Sequence, residues 1–290
     1  MAGTKRRFVD AHVHLWDLDH NPWYQFPLPG PNDFGLGLKT PFPDVYLWED
    51  HLQTVATADL VKWVHVTAVS AAKDVEAESA WLKPIAEKAG LPYAIIGSTD
   101  LSLPMDEIKA GLEREMKNPA YRGLRLLGGA DYDSAKTDEF FAYMVSRGLV
   151  YDAVANTGGI ATAARGLKRH PDLTVVLEHT GWPLAYDDAH FEAWRAEMAE
   201  FAALPNSYCK LSGMGMIVHR TDLAVFRKFF DECIRLWGAN RCLFAGNFPV
   251  DLQYGSGADL IAVFDAVASN YSEAEADDLF AGTAERAYRI

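Results

Sequence analysis

The stretch Phe8-Val9-Asp10-Ala11-His12-Val13-His14 is a β-rich run that ends on two histidines spaced by two. Side chains alternate between faces along a strand, so both imidazoles leave the same face near its C-terminal end. Two neutral imidazoles converging on one point suit a zinc-type ion, or a hydrogen-bonded pair that holds a carbonyl group or a water. A run that opened a doubly wound dinucleotide-binding sheet would lead into a glycine fingerprint. Here His12-Val13-His14 holds that position and no GxGxxG follows.

Moving outward, further β-rich runs fall at 61–69, 93–96, 123–127, 149–154, 173–177, 208–211 and 242–245. Between them apolar residues recur at spacings of three and four, as in Trp81, Leu82, Ile85 and Ala89, in Ile108, Leu112 and Met116, and in Phe191, Trp194, Met198 and Phe201. Phe226, Phe229, Phe230, Cys233 and Trp237 repeat the pattern, and Ser272 with Glu275 forms a capping box for a closing helix. Strand and helix therefore alternate with a repeat of roughly 25 to 35 residues, the length of a βα unit. The pattern predicts an α/β fold, a (β/α)8 TIM barrel, as a single domain over residues 1–290.

Composition narrows the partners. With 27 Lys plus Arg against 40 Asp plus Glu, the net charge of −13 repels a phosphate backbone and an anionic membrane. Cys209, Cys233 and Cys242 form no CxxC pair, which argues against a disulfide framework or a thiolate metal site. The start of the chain is too polar for a secretion signal, so the expectation is a cytoplasmic protein acting on a small molecule. The connection from Leu15 to Asp50 breaks the repeat and carries Trp16, Trp23, Tyr24, Phe26, Phe34, Phe42, Tyr46 and Trp48. A loop of that length over a barrel mouth reads as a lid, or as an apolar plug or the interface of a homo-oligomer.

The chemistry-bearing residues cluster at the ends of the predicted strands. His179, in Leu177-Glu178-His179-Thr180-Gly181, ends the sixth run and can meet His12 and His14. Asn247 and Asp251 follow the eighth run. An amide orients water but cannot take its proton, so a general base is sought in Asp251, in Asp100 after the third run, or in a histidine. Arg125 interrupts an apolar run, with Arg122 close by in sequence, and needs either an anionic substrate group or an ion-pair partner. His65 reads as a core or helix-facing residue. Trp16, Tyr46, Trp182 and Met214 are the expected substrate-binding wall.

Taken in order, Asp10-Ala11-His12-Val13-His14-Leu15-Trp16, Gly123-Leu124-Arg125, Leu177-Glu178-His179-Thr180-Gly181, Lys210-Leu211-Ser212-Gly213, the strand-eight segment and Thr283-Ala284-Glu285-Arg286-Ala287-Tyr288 resemble the amidohydrolase-2 branch of the amidohydrolase superfamily. The resemblance spans Phe8 to Ile290. It implies lactone hydrolysis on a (β/α)8 barrel, with His12, His14 and His179 as the family's paired and strand-six histidines and Arg125 as its substrate-carboxylate grip. It departs at strand eight, where Asn247 stands in place of the family's aspartate, and at strand five, where the expected histidine is missing. Both departures leave two versions open, one with a divalent metal such as zinc on His12, His14 and His179 and one without metal. The expected activity is opening of a lactone or related cyclic ester of an anionic or aromatic-derived substrate. Lyase or isomerase chemistry, and a ligand-binding barrel without catalysis, are the competing readings.

Overall fold

The computed structural model describes residues 5–27, 29, 35–68 and 75–290. Eight strands run in parallel and pair strictly in chain order: β1 (Arg7–Val13), β2 (Asp59–Val66), β3 (Tyr93–Gly97), β4 (Tyr121–Arg125), β5 (Val150–Ala153), β6 (Thr174–Leu177), β7 (Ser207–Leu211) and β8 (Cys242–Phe244). The last strand returns to the first just beyond its own end. Asn247 N donates to His12 O at 2.9 Å, His14 N donates to Phe248 O at 2.9 Å, and Gly246 N donates to the Asp10 carboxylate at 2.7 Å. These bonds close the (β/α)8 barrel predicted from the repeat.

A helix follows every strand: α1 (Trp48–Thr54), α2 (Val75–Ala89), α3 (Met105–Glu115), α4 (Ala135–Arg147), α5 (Ile160–Leu167), α6 (Asp188–Ala202), α7 (Leu223–Trp237) and α8 (Gly257–Ala268). Polar caps start several of them. Ser134, Asp187, Asp222 and Ser256 accept from backbone N–H groups of the first turn, which would otherwise lack acceptors. Ser272 and Glu275 form the predicted capping box, and the helix they open runs through a π-turn at Asp278–Gly282 to Tyr288. Its Ala281, Ala284, Ala287 and Tyr288 pack on Val9, Val64, Ala94, Val150, Val176 and Leu243, an apolar plug at the base of the barrel. No helix among the described residues is long and apolar enough to cross a membrane.

Most strand bounds fall within a residue of the sequence reading, and the second and fourth strands differ by more. The fourth run, expected at 123–127, is a strand over Tyr121–Arg125. Leu126 belongs to the following turn, where Gly129 N donates to Leu126 O, and Leu127 is exposed. The second strand ends at Val66, and Val69, the end of its predicted run, lies outside the described residues, as does Phe34 of the aromatic loop. That loop is not structureless. Trp16–Asp17 pairs antiparallel with Val45–Tyr46, and Trp16 Nε1 donates to Pro43 O at 2.8 Å. Trp16, Phe26 and Phe42 form one aromatic cluster, with Trp16 and Phe26 ring centres 4.3 Å apart.

Candidate active site

The strand ends converge on three histidines. A one-residue bulge between Asp10 and Val13 leaves Ala11 in the apolar inner cluster while His12 and His14 remain together on one side. His12 Nε2 and His14 Nε2 stand 3.1 Å apart, and the rings of His12 and His179 are 4.5 Å apart. His179 is carried there by an unusual backbone. His179, Thr180, Gly181 and Trp182 all adopt positive φ, a turn that L-residues enter at a cost of about 1–2 kcal/mol each. Trp194 Nε1 donates to Thr180 O at 2.8 Å, and Thr180 Oγ1 donates to Ser212 O at 3.2 Å, which holds the turn in place. Gly213, itself at φ +71°, makes room for the His179 ring, since a Cβ there would stand 2.7 Å from it.

Each imidazole is gripped at Nδ1. Val66 O accepts from His14 at 2.7 Å, Ser212 Oγ pairs with His179 at 2.9 Å, and Lys210 Nζ approaches His12 at 3.1 Å. This leaves the Nε2 atoms of His12 and His14 facing one another. Burial lowers the pKa of all three rings, with Lys210 adding to the effect on His12 and Arg125 to that on His14, while His179 falls to about 4. Burial therefore favours the neutral rings; Lys210 donates to His12 Nδ1, which places the His12 proton on Nε2, facing the Nε2 lone pair of His14.

Beneath the histidines lies a buried ionic lattice. Lys210 Nζ donates to Asp152 at 2.5 Å and stands 3.7 Å from Glu178, Arg125 Nη1 donates to Glu178 at 3.2 Å, and Arg125 Nη2 donates to Thr67 O. Tyr288 OH, from the plugging helix, donates to Asp152 at 3.0 Å. Burial alone would raise Glu178, but Arg125 and Lys210 outweigh it and hold the carboxyl below its usual range. Burial lifts Asp152 to about 6 against the pull of Lys210. Two cations and two anions therefore balance.

Asp152, Glu178 and Lys210 received no role from the sequence. The signal that singled out Arg125, a charge inside an apolar strand run, is present at Lys210 and Asp152 as well. The fifth strand carries no histidine; its buried polar residue is Asp152, ion-paired with Lys210.

Other expected residues are placed as follows. Asn247, at φ +53°, donates through Nδ2 to Asp251 at 2.6 Å, and burial raises Asp251 to about 7. Trp182 packs edge-on to His179 at 5.5 Å and Trp16 stacks beside His14 at 6.4 Å, so both border the histidines. Met214 is fully buried, whereas Tyr46 turns to Thr54, to which its OH donates at 2.9 Å. Asp100 accepts from Ser102 N at 2.8 Å and has no hydrogen bond to a histidine among the described residues. Arg122 sits at the opposite end of β4 from the histidines, with its guanidinium on Arg289 O and Pro119 O. His65 is buried and bonds Glu78 of α2 at 3.0 Å, the helix-facing position expected of it.

The fold and this histidine group define an amidohydrolase barrel. The amidohydrolase family model matches residues 9–290, and the chain belongs to that family and is an enzyme of the hydrolase class. It is 30% identical to the protein y4mH of Sinorhizobium fredii over 97% of this chain and 98% of that one. It is 28% identical to an L-fucono-1,5-lactonase of Burkholderia multivorans, covering 97% and 96% of the two chains. Among solved structures, an amidohydrolase from Burkholderia multivorans with bound zinc superposes with a TM-score of 0.80 at 25% identity, over 98% and 99% of the two chains.

Proposed function

We propose that this enzyme hydrolyses an uncharged lactone of a sugar acid. The observation that carries the reading is the histidine group, in which His12 lies between His14 and His179, each held at Nδ1, at the strand ends of an amidohydrolase barrel. The lactonase relative supplies the substrate class. Charge balance supports the neutral form over the anionic substrate expected from sequence. Arg125 is paired with Glu178 and Lys210 with Asp152, so neither cation is left to receive a substrate carboxylate.

The donor set fits a divalent cation. His12, Glu178 and His179 bring ligand atoms within 4.8 Å of one another and would hold it, with His14 beside His12. Glu178 Oε1 has no hydrogen-bond partner among the described residues and lies 3.4 Å from His12 Nδ1. A carboxylate at that place behind His12 is of the kind that supports metal-binding histidines. Such an ion would supply Lewis acidity toward the lactone carbonyl and make a water more acidic. Within the chain, Trp16 and Trp182 flank the ring of the substrate and exclude water. Asn247 orients the attacking water, and Asp251 behind it is the carboxyl group poised near neutrality to take a proton.

The test is proton release from five- and six-membered aldonolactones, with a dicarboxylated pyrone lactone as the anionic comparator. Bound metal is quantified, and each assay is run with and without chelator. Turnover of the neutral lactones, lost with chelator and restored by zinc, is the expected result. Preference for the anionic lactone would refute the charge argument. Conversion without solvent oxygen entering the product would favour lyase or isomerase chemistry.

A further inference from the structure

Glu78, on α2, is a buried carboxylate that the chemistry above does not use, and it is hydrogen-bonded on every side. It accepts from Tyr24 OH at 2.9 Å, from His65 Nε2 at 3.0 Å, from Ala68 N at 3.4 Å and from Thr67 Oγ1. Tyr24 belongs to the aromatic loop after β1, His65 lies near the end of β2, and Thr67 and Ala68 directly follow that strand. From these partners two routes lead to the histidine group. Through the loop, Tyr24 stacks on Phe26 at 5.8 Å, Phe26 packs on Trp16 at 4.3 Å, and Trp16 stacks beside His14. Through the end of β2 and the residue after it, Val66 O fixes His14 Nδ1 and Thr67 O accepts from Arg125.

We infer that Glu78 is a positioning residue that locks the aromatic loop to the end of β2, so that the Trp16 wall and the His14 ring hold one fixed spacing around the substrate. A carboxylate suits the task because it accepts several hydrogen bonds at once, and charge-assisted bonds are roughly twice as strong as neutral ones. Glutamine at 78 would keep the shape but turn one oxygen into a donor, facing groups that are themselves donors. Its effect should appear in the loop before it appears in the fold. This inference rests on the lactonase reading only for its kinetic arm.

The experiment compares Glu78→Gln, Tyr24→Phe and the double variant. Hydrogen exchange should accelerate about tenfold or more in amides of residues 15–26 and 43–46, while β6 and β7 stay protected. With a turned-over lactone, KM should rise about tenfold in each single variant with kcat changed less than threefold, and the double variant should add little, because both substitutions break one link. Unchanged loop exchange in Glu78→Gln would overturn the inference, and so would an additive double variant. Uniform loss of protection across the barrel would show a purely structural role. If no lactone is turned over by the wild-type enzyme, the functional reading fails while loop exchange still decides the role of Glu78.

Discussion

Asp251→Asn tests the electrostatics of the strand-eight corner directly. Burial drives the carboxyl from its ordinary 3.8 to about 7 against the hydrogen bonds from Asn247 and Gly215, and the Asp10 carboxylate adds to the rise. The folded protein therefore keeps this proton up to about pH 7, whereas the unfolded chain releases it near 3.8. Across that window the folded state binds more protons, so stability falls as pH rises and levels off above 7. A displacement of this size corresponds to about 4 kcal/mol at one unit per 1.36 kcal/mol, an upper bound that relaxation lowers toward about 2. Asparagine keeps the acceptor for Asn247 Nδ2 and never ionises. It should match the wild type within about 1 kcal/mol at pH 4.5 and exceed it by about 2–4 kcal/mol at pH 8, read by urea unfolding with an unchanged m-value. The wild-type kcat/KM should rise with pH through an inflection near 7, which the variant should lack. Equal stability loss in both proteins between pH 4.5 and 8 would refute the raised pKa, and a retained inflection would remove Asp251 as the proton acceptor.

Lys210→Met leaves Asp152 and Glu178 without their shared cation, and breaking a buried pair in this way costs about 3–5 kcal/mol, measurable as a drop in the denaturation midpoint. Gly213→Ala forces a Cβ to within 2.7 Å of the His179 ring at a positive φ, so it should cost about 1–3 kcal/mol and lower kcat by more than the folded fraction explains. His179→Asn should lower the metal content of the purified protein, read by elemental analysis, while circular dichroism stays native. An unchanged content would remove His179 from the ligand set.

The barrel was legible because its evidence is periodic. Strand runs alternate, helices repeat at three and four, and each repeat has the length of one βα unit. His12 and His14 were legible because a spacing of two fixes a shared face, and His179 because it sits at a strand end. The ionic lattice has no such period. Asp152 and Lys210 lie on β5 and β7 and Glu178 follows the end of β6, and only the closed barrel brings them together. The role of Arg125 was left open for the same reason, since its partner Glu178 lies 53 residues away. The order inside the aromatic loop was hidden too, because the pairing of Trp16 with Tyr46 depends on the register of two residues on either side of a long excursion. The fourth strand was misplaced because Leu126 and Leu127 extend the apolar run, while the turn at Gly128 and Gly129 ends the pairing two residues earlier.

The lattice accounts for the state of the histidines. Four charges under the barrel mouth carry a large desolvation penalty, and replacing them with apolar side chains would often cost nothing in stability. Their effect on the site is specific. Lys210 disfavours a proton on His12 and Arg125 disfavours one on His14, adding to burial in both cases. Glu178 and Asp152 neutralise the two cations, so the cavity gains that bias without a net positive charge that would repel a divalent ion or recruit an anion. Burial and the two cations thus favour the neutral rings at the strand ends, where the proposed lactone would bind. In the proposed reaction the strand-eight corner would then rest on the Asn247 amide backed by the Asp251 carboxyl group.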